Sequence, residues 1–382
     1  LEGGQVAVLA VLPLVGLLVG PAYASLAWTL AALGLAGSAA GRRMVRDLGL
    51  GGLAACFCVL CGASALWSIA PHRSLAATWQ LAVILAASLV LLAGRDIGPA
   101  ATSRAFGAMT LALCAGVLIM GVDVALHFPL QRHLAPRELY PGTKYNRGED
   151  YLTLLLWPML AFWLLQRRYA RALVAAGAVL VAVAIGQSTT ARVTLAVGVL
   201  TLLAAWWAPK LVMRVLAWGS VAVAGLLPVL LHALAADRLL VWRHLKQSGL
   251  HRLEIWDYMT ARVAERPLLG WGFATAKLVP IRAAEMRGYV WVDPHGVYPH
   301  NQVLQLWLET GLLGAALGAV FVLLVLRRIA RLPPRIYPFA CAAFAAAFAV
   351  SASSFELTTD SWWAALALTA ILLRLAETAS VP

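Results

Sequence analysis

The residue best placed for chemistry in this sequence is His300. It follows Pro299 in the run Trp291-Val-Asp-Pro-His-Gly-Val-Tyr-Pro-His-Asn-Gln-Val-Leu-Gln-Leu-Trp-Leu-Glu-Thr-Gly-Leu-Leu-Gly314, where a polar loop turns into an apolar helix. Asn301 is positioned to cap that helix, whose first-turn N–H groups have no intrahelical partners. The positive end of a helix disfavours an imidazolium, so a histidine there is expected to stay neutral and could act as a base near pH 7. A histidine that only caps or anchors at an interface is the other open reading. Glu309 lies about 14 Å further along the axis and on the opposite face, so it is not expected to orient His300. As a carboxylate in an apolar run it requires an internal partner. Gly311 and Gly314 read as sites of close helix packing.

Two arginines stand out beside it. Arg192 ends the polar run Gly186-Gln-Ser-Thr-Thr-Ala-Arg. A guanidinium there is either a bidentate phosphate clamp aided by hydroxyls or a side chain reaching to lipid headgroups. In His251-Arg-Leu-Glu-Ile-Trp-Asp-Tyr-Met-Thr-Ala-Arg-Val, the residues Arg252, Trp256, Met259 and Val263 recur at helical spacing. They form one face of an amphipathic helix that should dock inward and carry Arg252 with it. Arg262 and Arg266 fall off that stripe and are expected to be solvated. Pro267 should end the helix, with Gly270 and Gly272 making the turn.

These residues have to be positioned by a very apolar chain. Of 382 residues, 62% are apolar and 12% charged, about half the charge content of a soluble domain. The pattern implies an all-α polytopic membrane protein, one membrane domain over 1–382. About twelve transmembrane helices are expected near 5–20, 22–40, 48–69, 79–93, 105–127, 151–165, 172–186, 193–208, 215–232, 303–326, 339–355 and 362–375. Tryptophans near span ends (Trp67, Trp79, Trp157, Trp206, Trp207, Trp362, Trp363) suggest interfacial belts. The net charge of +13 does not point to nucleic acid, because the arginines recur in short clusters between apolar runs rather than in one patch. Cys56, Cys58, Cys61, Cys114 and Cys341 all lie in apolar runs, which argues against a disulfide framework. No cleavable signal-peptide pattern is evident, and the first residues, which lack a methionine, read as a remnant of preparation.

One set of short connections carries fourteen Lys or Arg: Arg42, Arg43, Arg46, Arg95, Arg104, Arg167, Arg168, Arg171, Lys210, Arg214, Arg327, Arg328, Arg331 and Arg335. The opposite short loops, near 71–78, 187–192 and 356–361, contribute only Arg73 and Arg192. The positive-inside rule then places both termini in the cytoplasm. Two long loops, 128–150 and 233–302, fall on the outer face together, and loops of that length are usually functional. The second holds nine Lys or Arg against six acids, which suits an anionic ligand.

An outer-loop arginine, then Arg-x-x-x-Trp…Pro-Leu-Leu-Gly-Trp-Gly, then His-Asn-x-x-Leu…Glu-Thr-Gly-x-x-Gly, together resemble the O-antigen ligase superfamily. The motifs cover about 190–314. The resemblance implies a lipid-donor (GT-C-like) glycosyltransferase of a Gram-negative inner membrane, with its active site periplasmic and no cofactor or metal. Its partners would be an undecaprenyl-pyrophosphate-linked glycan donor, a lipid A–core acceptor and membrane lipids. Family roles carry onto Arg192, Arg252 and His300, and Lys144 and Arg147 are weaker candidates for the pyrophosphate pocket. Among relatives, the O-antigen polymerases often show Arg-x10-Gly in the two outer loops. Here Leu203 and Val263 stand eleven residues after Arg192 and Arg252, which favours the ligase. Protein O-oligosaccharyltransferases commonly run further beyond the last span. A transporter of lipid-linked glycans would require broken helices at mid-membrane and internal repeats, and no repeat is found.

Overall fold

The computed structural model describes residues 2–33, 49–94, 97–137, 139–236, 247–280 and 298–379, and these are helical, with no strand among them. The helices are α1 (Glu2–Leu18), α2 (Ala22–Leu33), α3 (Leu50–Ala63), α4 (Pro71–Leu92), α5 (Pro99–Ala125), α6 (Pro129–Leu134) and α7 (Tyr145–Leu165). There follow α8 (Tyr169–Ile185), α9 (Thr189–Trp207), α10 (Pro209–Ala236), α11 (Gln247–Glu265), α12 (Gln302–Ile329), α13 (Tyr337–Ser351) and α14 (Asp360–Thr378). Five of them, α4, α5, α9, α10 and α12, are long and apolar enough to cross a membrane, and shorter apolar helices accompany them. The chain is thus a multi-pass membrane protein by length and composition.

Helix α7 is the axis of the bundle. Almost every residue from Gly148 to Trp163 is buried, and it packs against α1, α8, α13 and α14. From Leu154 onward it is apolar on all sides, and such a helix is stable only when surrounded; here neighbouring glycines admit it. A Cβ at Gly198 would lie 2.1 Å from the Trp157 ring, and one at Gly148 would lie 2.6 Å from the Leu17 backbone. Trp157 and Trp362 are therefore core residues and not interfacial anchors, whereas Trp79, Trp206 and Trp207 are exposed as expected of a belt. The apolar run lengths do not reveal this difference, because they placed Trp79 and Trp157 near span ends, whereas both lie mid-helix in α4 and α7.

Several expected boundaries move. Residues 71–78 are not a loop but the first turns of α4, whose Pro71 occupies an N-terminal position that needs no amide donor. The first long loop closes at Tyr145, and α10 runs past 232 to Ala236. Arg42, Arg43, Arg46 and Arg95, and residues 291–297 of the His300 motif, lie outside the described residues.

Candidate active site

The amphipathic helix α11 forms as its periodicity predicts, with Met259 and Val263 buried and Pro267 just beyond its end. Its inward face holds the histidine loop. The Trp256 Nε1–H donates to the Pro299 carbonyl at 2.6 Å, and the Asn301 side chain caps α12 by accepting from the Leu304 N–H at 3.0 Å. Between these two anchors His300 adopts φ 47°, a left-handed conformation that a non-glycine residue keeps only when its surroundings impose it. Its ring packs edge-on against Tyr298, with centroids 4.7 Å apart.

His300 is held in the neutral form. Its pKa is pushed down to about 4, first by burial and then by the nearby Arg252 charge, with a hydrogen bond to the Ser354 backbone opposing. The dominant cause is therefore desolvation, where the sequence suggested the helix terminus. A ring N–H spent on the Ser354 carbonyl leaves the other nitrogen of a neutral imidazole as an acceptor.

Arg252 is carried inward as expected. Its guanidinium donates to Thr190 Oγ1 at 3.2 Å. Burial pushes its pKa down and the Asp150 carboxylate opposes that shift. Asp150, at the start of α7, is the buried centre of the cluster. Its Oδ1 accepts from the Ser188 hydroxyl at 3.2 Å and its Oδ2 from the Ser354 hydroxyl at 2.9 Å. Ser354 thus joins the carboxylate, through its hydroxyl, to His300, through its backbone. Below it an aromatic column of Tyr23, Tyr151, Phe355 and Trp362 stacks at centroid spacings of 4.7, 5.6 and 4.6 Å, which fixes the Ser354 segment against α7.

Arg192 stands in the first turn of α9, capped by Ser188. Two of its N–H groups donate to Val183 O at 3.3 Å and Gly186 O at 2.6 Å, so it also covers carbonyls at the end of α8. The residue is exposed, and a guanidinium has five donors, so others stay available to a ligand. Beside it Glu149 accepts the Ser188 N–H at 3.2 Å. That fit requires glycine at 186, where a Cβ would lie 2.2 Å from the Glu149 carboxyl.

A second device surrounds Glu309. Helix α12 breaks at Gly311, with φ 63° and ψ −155°. The Pro-Leu-Leu-Gly-Trp-Gly segment docks its backbone into the break: Trp271 N–H donates to Leu308 O, Gly272 N–H to Glu309 O, and Leu312 N–H to Pro267 O. Gly270 (φ 67°) and Gly272 (φ 104°) would place a Cβ 2.5 Å from the Glu309 backbone and 2.3 Å from Ser68 Oγ. These glycines thus serve both the turn and a backbone-to-backbone approach. Gly311 is a helix break and not a helix-packing position, which corrects the sequence reading. The groups that hold Glu309 are the Gln305 amide at 3.1 Å, the Ala276 N–H at 3.2 Å and the nearby Ala274 N–H, and His300 is not among them.

Arg262 and Arg266 are not solvated as expected. Arg262 is buried, paired with Glu265 at 3.0 Å and set over the Tyr258 ring, while Arg266 lies 4.2 Å over Trp271. Both use the aromatic side chains of their own segment as cover. Of the weaker candidates, Arg147 is exposed and close enough that its charge acts on Asp150 and Tyr298. Lys144 is exposed in the preceding 3₁₀ turn, and none of the contacts above joins it to the cluster. Glu149, Asp150 and Ser354 are not singled out by the sequence, and Ser188, read there as a hydroxyl aiding Arg192, bonds Asp150 instead. The signal was present in Gly148-Glu-Asp, two adjacent carboxylates opening an apolar run, since such groups are costly in a membrane helix unless functional or paired.

Comparison with known proteins converges on the same stretch. Residues 174–319 match the family model described as O-Antigen ligase, a span that includes Arg192, Arg252, His300 and Glu309. A protein of Rickettsia bellii (strain RML369-C) named "Putative polysaccharide ligase" is 26% identical over 238 residues, covering 60% of this chain and 57% of its own length. A Rickettsia felis protein of the same name is 25% identical over 279 residues, covering 72% and 67%. A Rickettsia typhi relative, also so named, is 38% identical over 86 residues, covering 22% and 21%.

Proposed function

Because this chain is a member of the O-antigen ligase superfamily, we propose that it transfers a glycan from undecaprenyl pyrophosphate to a sugar hydroxyl of lipid A–core, in lipopolysaccharide biosynthesis. The observation that carries the reading is one cluster at one end of the bundle: a neutral histidine with a free ring nitrogen beside Arg252, which bonds Thr190 on the same short segment that carries Arg192. In this reading the acceptor hydroxyl gives its proton to His300 as its oxygen attacks the anomeric carbon. The bond from that carbon to the pyrophosphate oxygen breaks, and the pyrophosphate leaves with the electron pair. Arg252 and Arg192, with Arg147 at the rim, meet the charge that develops there. Asp150 is a positioning residue, holding Ser188 and Ser354 on either side.

The bundle has twelve spans of the lipid-donor type, with both termini cytoplasmic and the cluster on the periplasmic face of a bacterial inner membrane. Support comes from the arginine count and from the helix ends themselves. Ala63, Ile185 and Ser351 close helices, and Pro71, Tyr145, Thr189 and Gln302 open them, next to the segments that build the cluster. The test is reconstitution of purified protein with lipid-linked O-antigen and lipid A–core. A higher-mass lipopolysaccharide ladder, absent from His300→Ala, is expected. Lengthening of the donor glycan without its transfer to lipid A–core would make the protein a polymerase instead.

A further inference from the structure

A cavity of about 240 Å³ lies behind Tyr298 and is lined by residues from α4, α12 and the segments around 274–277 and 356–358. It is far larger than the roughly 10–15 Å³ that one water needs by the same measure. Its inner wall is Glu309, 1% exposed, with one carboxylate oxygen held by Gln305 and Ala276; the Ala274 N–H lies near the carboxyl, but the other oxygen, Oε2, is buried with no hydrogen bond of good geometry among the described residues. The buried hydroxyl of Tyr298 likewise has no partner among them. Gln80 and Arg73 are exposed where they line the cavity, and Lys277, ion-paired to Glu356 at 3.1 Å, lines it too. Ala76, Ala77 and Ala274 supply a small apolar wall. A buried acceptor left open is costly unless a donor arrives. Apolar C–H surface flanked by carboxylate, amide and phenol groups suits a polyhydroxylated ring.

We propose that this cavity is a subsite for a sugar residue of the acceptor saccharide, whose hydroxyls donate to Glu309 Oε2. Its position specifies acceptor rather than donor. Tyr298 lines the cavity and touches His300, so a ring bound there is one side chain away from the imidazole. The guanidinium of Arg252 meets the cluster from the Thr190 and Asp150 side. The assignment of the bound sugar as acceptor rests on the ligase reading; the cavity's fit to a saccharide does not.

The test uses full-length protein in lipid nanodiscs and, as probe, the soluble core oligosaccharide released from lipid A by mild acid. Two variants are compared with the native chain: Glu309→Gln, which turns the open acceptor into an amide, and Ala76→Trp, which fills the cavity from an exposed position. Both are expected to weaken oligosaccharide binding, and to raise the KM for lipid A–core, at least about tenfold, the scale of losing a hydrogen bond to a charged group. Binding of undecaprenyl pyrophosphate should be unchanged. Native-like oligosaccharide affinity in a folded Ala76→Trp protein, or loss of donor rather than acceptor binding in both variants, overturns the subsite. If the native chain binds the oligosaccharide and both variants lose it, yet no glycan is transferred, the subsite stands and the ligase reading fails.

Discussion

Removing one hydrogen-bond donor from α11 should disable His300 from a distance. His300 holds a left-handed backbone that costs a non-glycine residue on the order of 1–3 kcal/mol. The bond from Trp256 Nε1 to the Pro299 carbonyl, at 2.6 Å, is one of the two anchors that impose it. Trp256→Phe keeps an aromatic ring on the docked face but strands that carbonyl, at a cost of about 1–3 kcal/mol. The two quantities are comparable, so the loop loses much of its preference for the productive conformation. Taking about 2 kcal/mol, with tenfold in population per 1.4 kcal/mol, turnover should fall roughly 30-fold. The assay is glycan transfer by purified protein in nanodiscs, with kcat and each KM measured beside a thermal melt. The donor KM should hold, because the arginines are untouched, and the melt should shift little. In a His300→Ala background the same substitution should add almost nothing, since it acts through that ring. Turnover within twofold of native in the single variant would refute the claim that this bond holds the histidine.

His300→Ala should lose roughly 10² to 10⁴ in rate with donor binding nearly unchanged, whereas near-normal turnover in His300→Gln would make the residue a positioning group. The active form is the neutral ring and its pKa is about 4, so activity should persist through pH 6 and fall only as pH approaches 4. Protonation also opposes folding, because the unfolded ring, near 6.5, takes up protons that the folded one refuses; stability should therefore decline as pH drops from about 6.5 toward 4. Arg252→Lys should transfer at under a tenth of the native rate, as a point charge cannot reproduce the bidentate fork, and full activity would exclude fork binding. Arg192→Ala should lose both activity and some thermal stability, since it also covers the Val183 and Gly186 carbonyls; an unshifted melt would deny it the second role. In a cysteine-free background, Leu139→Cys should react with a membrane-impermeant thiol reagent in cells whose outer membrane is permeabilised, and Ser103→Cys should not. The reverse pattern would invert the topology.

The sequence by itself determined that the chain is helical and apolar, and where α11 stops, because apolar run length and the punctuation of Pro267 are local properties; it missed that Pro71 opens α4. It also determined the inward face of α11 and the cap at Asn301, since both depend on spacing of a few residues. What it could not contain was which end-of-helix groups meet. Asp150 sits 38 residues from Ser188 and 204 from Ser354, and only packing of α7 among its neighbours brings the three together. For the same reason Arg262 and Arg266 were misread: a helical wheel shows that they leave the apolar stripe, not that Tyr258 and Trp271 fold over to receive them. Gly311 is the clearest case. In sequence it is one small residue in an apolar helix, and its left-handed φ exists because the backbone of Leu268 and Leu269 lies against it, where a Cβ would stand 2.3 Å from Leu268. That contact, made by a segment over forty residues earlier, breaks the helix beside Glu309 and shapes the cavity behind His300.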